Sequence, residues 1–248
     1  MSNFIFESGT SSLASSSDAF GLVLCIGRAE ALSSETTLNA LKMCFKNGDG
    51  TLETSFKPYV KSLIGKRRHA SGTSFPLLLP GQTEEMSFSK LVVHAVAESS
   101  SRHNASLRVD DIAKCVEASA TKSDSVEGGF RVIMLVNDVE EAFASGCALA
   151  RSLPLFSTKS SFSSWADRRV VVHFLFNDSC TSISNEKLLV LKHSAIAIQR
   201  TAALVDMPTA VLHTTEFVRK AKRAQERLVI SRRRRRWSID KDGDGDGL

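Results

Sequence analysis

The chain has 248 residues, 42% of them hydrophobic and 24% charged, which is enough to bury a sizeable core and excludes a chain that is disordered throughout or fibrous. Its net charge of +5 points to an anionic partner only until the charge is located. Residues 219–236 hold ten Lys/Arg and one acid, the last twelve residues hold four Asp and one Lys, and residues 1–218 are close to neutral with 21 bases and 22 acids.

In chain order, residues 3–6 read as a first strand and are followed by a Ser-rich loop over 8–17. No basic region precedes the short apolar run 21–26, which argues against a secretory signal and suits a second strand. A helix fits 34–45, capped by Ser34 and carrying Leu38, Leu41, Met43 and Phe45, and the Asn47-Gly48-Asp49-Gly50 turn ends it. A second helix is expected over 55–64. Residues 75–79, set between a Ser/Gly cluster at 71–74 and Pro80-Gly81, read as a strand, as do 90–97.

Residues 106–120 have the helical period. The nearly continuous apolar run 130–136 has strand length and suits a sheet covered on both faces, so it is the expected central strand. A helix over 140–153 stops at Pro154, residues 169–176 form a second buried strand, and 185–206 is a long helix ending before Pro208. A last helix begins near Thr214 or Thr215 and runs into the basic stretch. Alternating strands and helices indicate an α/β layer structure, with helices on both faces of a mainly parallel or mixed sheet. No apolar run approaches the roughly 20 residues of a membrane span. The five cysteines, at 25, 44, 115, 147 and 180, are odd in number and widely spaced, which fits reduced thiols in the cytoplasm.

The catalytic signatures with a physical mechanism are missing: no Gly-x-Ser-x-Gly elbow, no phosphate loop, no Gly-x-Gly-x-x-Gly after a strand and no His-Glu-x-x-His pair. The histidines at 69, 94, 103, 173, 193 and 213 lie far apart, and His94 and His173, each inside an apolar strand, read as core or edge histidines. Two stretches imitate calcium loops. Asp240, Asp242, Asp244 and Gly245 fill positions 1, 3, 5 and 6 of that pattern with no acid at position 12, and Asn47, Asp49 and Gly50 sit between Phe45 and Phe56 at its ends. Both read as turns or solvated tail. The run Arg232 to Arg236 has only Trp237 beside it as a stacking group, so it reads as a solvated basic tail, with nucleic-acid binding as the alternative.

Three blocks carry a resemblance: Ser101-Arg102-His103-Asn104, the segment from Phe143 to Phe156, and the segment from Ile198 to Pro208 leading to Thr214-Thr215-Glu216-Phe217. In this order and spacing they resemble the N-terminal half of the leucine (cytosol) aminopeptidase family, in particular its probable aminopeptidase-like branch, over about residues 20–223. The resemblance implies a macro-domain-like α/β domain over 1–184, a connecting helix and the start of a catalytic domain over 185–230, and a basic then acidic tail over 231–248.

It also implies, for a full-length member, a pair of divalent metals (Zn or Mn) about 3.5–4 Å apart that activates a water to release N-terminal amino acids from peptides, and assembly as a homo-oligomer, a hexamer in the family. The ligands come from the C-terminal domain. Neither Asn-Thr-Asp-Ala-Glu-Gly-Arg nor the Lys-bearing Asp-Thr-Gly-Gly segment occurs here, so no catalytic, cofactor-binding or metal residue is carried over. Ala210 also stands where the family commonly has Asn, and the likeness stops near Arg223. The expectation is a chain truncated before the catalytic domain or one that leaves the frame, inactive alone, with a structural or assembly role. Two alternatives stay open: a macro-like nucleotide or nucleic-acid binding module, and an interaction protein that joins full-length subunits.

Overall fold

The computed structural model describes residues 3–9, 22–44, 56, 58, 60, 71–79, 87–97, 107–120, 130–156, 169–177 and 182–226. Two compact units divide the chain, Met1–Ala203 and Leu204–Leu248. In the first, strands β1 (Asn3–Ser8), β2 (Leu22–Arg28), β3 (Ser71–Leu79), β4 (Ser87–Val96), β5 (Phe130–Val136) and β6 (Arg169–Phe176) form one sheet in the order β1-β6-β5-β2-β4-β3. All neighbours are parallel except β3 and β4, which pair antiparallel. The expected α/β class is therefore the observed one, a mixed sheet flanked by helices.

Strand periodicity explains why both faces need cover. Leu22, Leu24 and Ile26 of β2, Val132 and Met134 of β5, and Val170, Val172 and Phe174 of β6 share one core with Ile112 and Val116 of α3 (Val109–Ala120), Ala142 and Leu149 of α4 (Val139–Ser152) and Leu191 and Ala195 of α5 (Asn185–Asp206). The alternate residues Val23, Cys25, Ile133, Leu135, Val171 and Leu175 share the other core with Leu32 of α1 (Ala29–Leu32) and Leu38 and Leu41 of α2 (Glu35–Cys44). Strands buried on both sides lose the polar alternation of a half-exposed strand, which is why β5 and β6 read as near-continuous apolar runs. Phe4 and Phe6 of β1 stack with ring centroids 5.6 Å apart, and Phe6 stacks across to Phe174 of β6 at 6.0 Å.

The helix ends follow local chemistry. Ser34 caps α2 as expected, its Oγ accepting from the Thr37 N–H at 3.2 Å. Asp138 caps α4 by accepting from the Glu141 N–H at 2.7 Å. Helix α3 starts three residues later than the period predicts. Arg108 supplies the first carbonyl, accepting from Asp111 N and Ile112 N, while Leu107 stays outside the helix as a buried residue of the same core as Ile112, the arrangement of a hydrophobic staple.

Three expectations need correction. Residues 71–74 are not a loop but the start of β3, pairing with Val92 to Ala95; as an edge strand β3 accommodates both Gly72 and Pro76. The four-residue α1 was not expected, because one turn is too short to show a period. Helix α5 is long and apolar enough to cross a membrane by length and composition, so one segment does reach the size that no run was expected to approach. Its Leu191 and Ala195 lie in the core, and Gln199 Nε2 donates to the Leu153 carbonyl at 2.7 Å, so one stripe of the helix covers the sheet while Leu189, Val190 and Val205 are exposed. Residues 56, 58 and 60 are helical within the expected 55–64 segment, whereas the 47–50 turn lies outside the described residues.

The second unit contains a turn in which the Val211 and Leu212 N–H groups both donate to the Pro208 carbonyl at 2.9 Å, followed by helix α6 over 214–226. Glu216 and Arg219 pair on that helix, and the arginine holds the Glu216 carboxyl below its usual range.

Two glycines set close approaches. A Cβ on Gly27 would lie 2.7 Å from Leu135 Cβ, and one on Gly146 would lie 3.0 Å from the tips of Leu191. Because Leu135 Cβ is fixed by its strand whereas the Leu191 methyls end a flexible side chain, Gly27→Ala is expected to cost about 2–3 kcal/mol and Gly146→Ala less than about 1 kcal/mol. Urea midpoints of the two variants test this ranking, and equal losses would contradict it.

Candidate functional site

In an open α/β sheet, ligands bind outside the carboxyl ends of the strands where neighbouring connections leave in opposite directions. Here that point lies between β2 and β5. The chain leaves β2 toward the β3 and β4 side and leaves β5, through α4, toward β6. Arg28 ends β2, and Asn137 and Asp138 follow β5 directly. Helix α4 brings Glu141 to the same place, because the Asp138 cap fixes its first turn there.

The crevice is spanned by an ion pair. Arg28 Nη2 donates to Glu141 Oε1 at 2.5 Å and Nη1 to Oε2 at 3.2 Å, a two-pronged guanidinium contact. The Asn137 main-chain N–H adds a third donor to Oε2 at 2.8 Å. The Glu141 side chain is 1% exposed and that of Arg28 17%. Asn177, just after β6, donates from Nδ2 to Asn137 Oδ1 at 2.6 Å and from its N–H to the Val136 carbonyl, tying a third strand end into the network.

The described histidines do not converge. His94 on β4 meets Ser119 Oγ at 3.1 Å, and Ser119 donates onward to the Cys115 carbonyl, so the contact assigns the His94 proton to Nε2. Burial pulls its pKa down to about 4. His173 on β6 is fully buried, with Nδ1 3.1 Å from Glu7 Oε2. Burial first, and then the charge of Arg131, pull it down to about 3. Glu7, His173 and Arg131 have the strand parity of the face that α1 and α2 cover, a polar patch within an apolar core.

His193 and His213 are exposed, and His69 and His103 lie outside the described residues. The Cys115 thiol is pushed up to about 12 by burial, and burial also raises Cys147, so neither is poised as a nucleophile. Among the described residues no group of three or more His, Cys, Asp or Glu is arranged to hold a metal ion, so these residues do not fit a two-metal centre. Both calcium-like stretches, the Arg232 to Arg236 run and the Ser101 to Asn104 block lie outside the described residues, apart from Phe56, which is buried.

The decisive comparison is with a family model, M17 aminopeptidase N-terminal domain 2, which matches residues 22–162, more than half of the chain. The chain belongs to this family. Its match runs from β2 past α4 and so includes both partners of the strand-end ion pair. The M17 N-terminal domain described here is 29% identical over 141 residues to the mouse probable aminopeptidase NPEPL1, covering 56% of this chain and 26% of that one. To the human protein of the same name it is 30% identical over 105 residues, covering 42% and 20%. The chain thus spans about a quarter or less of the curated relatives it matches.

Among solved structures, an M17 aminopeptidase from Trypanosoma brucei superposes with a TM-score of 0.68 at 21% identity, covering 92% of this chain and 41% of that one. The Caenorhabditis elegans leucine aminopeptidase gives 0.57 at 16%, covering 89% and 40%. These likenesses show the fold.

Sequence reasoning missed the strand-end site. Arg28 and Glu141 are 113 residues apart, and neither belongs to a motif. The available signal was positional: a base at the end of one apolar strand and a carboxylate in the first turn after another.

Two outcomes follow. Removing one partner of the buried pair strands the other, so Glu141→Ala is expected to lower stability by about 3 kcal/mol, while Arg28→Met with Glu141→Leu recovers most of that loss; chemical denaturation of both variants checks it. His94 is neutral in the fold and its unfolded counterpart protonates first as pH falls. Stability is therefore fully present above pH 6.5 and declines by about 1.4 kcal/mol per pH unit for this one proton, levelling off near pH 4. The slope of stability against pH over that window should be shallower by one proton in His94→Gln, and an unchanged slope would refute the assignment.

Proposed function

We propose that this chain acts as the non-catalytic N-terminal domain of a leucine-aminopeptidase-like metalloexopeptidase, contributing packing and assembly to the enzyme and no metal ligand of its own. The observation that carries the reading is the family match over residues 22–162, on a domain several of whose buried acids and histidines are engaged within the fold. Glu141 and Asp138 are held by the strand-end network, His94 joins β4 to α3, and Glu7 and His173 face one another. In this reading peptide hydrolysis, with two Zn or Mn ions, belongs to a longer form of the protein. The layout is an α/β domain to residue 184, a connecting segment over 185–230 and a tail beyond it. The oligomer expected of the family forms through other parts of the enzyme. The buried thiols Cys25 and Cys115 suit a reducing, cytoplasmic setting.

The nucleotide-binding alternative meets an obstacle at the strand ends, since Glu141 already engages the Arg28 guanidinium and the Asn137 N–H that a phosphate would use. Purified chain with added Mn²⁺ or Zn²⁺ is expected to release N-terminal leucine from a chromogenic amide no faster than a metal-free control. Calorimetry with ADP-ribose is expected to give no heat beyond dilution. Metal-dependent turnover well above the control would overturn the non-catalytic reading, and saturable ADP-ribose binding would favour the alternative.

A further inference from the structure

The donors that converge on Glu141 are those of an anion site. A guanidinium offers two N–H groups in a planar fork, and a main-chain N–H at a strand end offers a third, all directed at one carboxylate from two different strands. They stand where an open α/β sheet receives ligands from solution. In this chain the anion arrives on the protein's own helix. We propose that Glu141 is a tethered occupant of an anion seat built by Arg28 and the Asn137 N–H, and that without its carboxylate the seat takes up a small free carboxylate from solution.

The main chain that carries the seat does not depend on Glu141 for its place. Arg28 is placed by β2, which pairs with β4 through Arg28 itself. Asn137 is placed by β5 and by Asn177, whose side chain donates to it at 2.6 Å. The cap of α4 is made by Asp138 to the Glu141 main chain and survives replacement of the Glu141 side chain. Truncation to alanine removes a methylene and a carboxylate, the heavy atoms of acetate, so acetate is the fitting probe. The inference rests on the strand-end geometry and not on the peptidase reading, and its failure would leave that reading untouched.

The test compares melting temperatures in sodium acetate and sodium chloride at matched ionic strength and pH 7. Wild type and Glu141→Gln, in which the crevice stays filled, are expected to show no difference between the salts. Glu141→Ala is expected to gain roughly 3 °C or more, saturably, in acetate alone. Arg28→Ala with Glu141→Ala is expected to lose that gain. If Glu141→Ala does not fold in chloride, acetate-driven recovery of its far-UV circular dichroism is read in place of the melting shift, against the same double variant. No acetate-specific response in Glu141→Ala, an equal response in the double variant, or a response in Glu141→Gln would each overturn the proposal.

Discussion

Parallel strands cannot be joined by tight turns, so a chain that links them has to cross a face of the sheet, and that constraint organises most of this domain. Crossovers through α3 and α4 cover one face and α1 and α2 cover the other, so the central strands β2 and β5 are buried on both sides. Because β2 and β5 send their chains in opposite directions, an opening between their carboxyl ends is unavoidable. The protein closes it with Arg28 and Glu141, and a topological by-product becomes a structural joint between the two halves of the sheet.

How much of this was legible depended on the range of the interaction. Elements set by local pattern were readable: the bounds of β5, β6 and α5 follow from apolar runs and from Pro208, and the α2 cap from Ser34. Elements set by partners were not. Residues 71–74 look like a loop because glycine and serine have little strand preference of their own; pairing with β4 makes them a strand. The strand-end network and the Glu7–His173 contact unite positions more than a hundred residues apart, and no local period records such a meeting. His173 in its apolar strand was readable as a core histidine, but the carboxylate beside it was not.

The buried polar groups also show that a shifted pKa does not by itself mark a chemical site. Perturbed histidines often mark catalytic clefts. Here the two that are shifted sit in different layers, one toward α3 and one on the opposite face of the sheet, each lowered chiefly by burial. His94 joins β4 to α3 by a directional contact inside an otherwise apolar interior, where an unpaired polar group is costly and a satisfied one fixes register.

At the far edge of the sheet, no strand among the described residues pairs with β3 on the side away from β4. A rim of main-chain donors and acceptors is a template on which a foreign extended segment can crystallise, the first step of fibre growth. Pro76 sits in the middle of β3 and has no amide hydrogen, so the strand cannot offer an unbroken ladder along its length. A proline that a central strand would exclude thus leaves this rim a poor nucleus for aggregation.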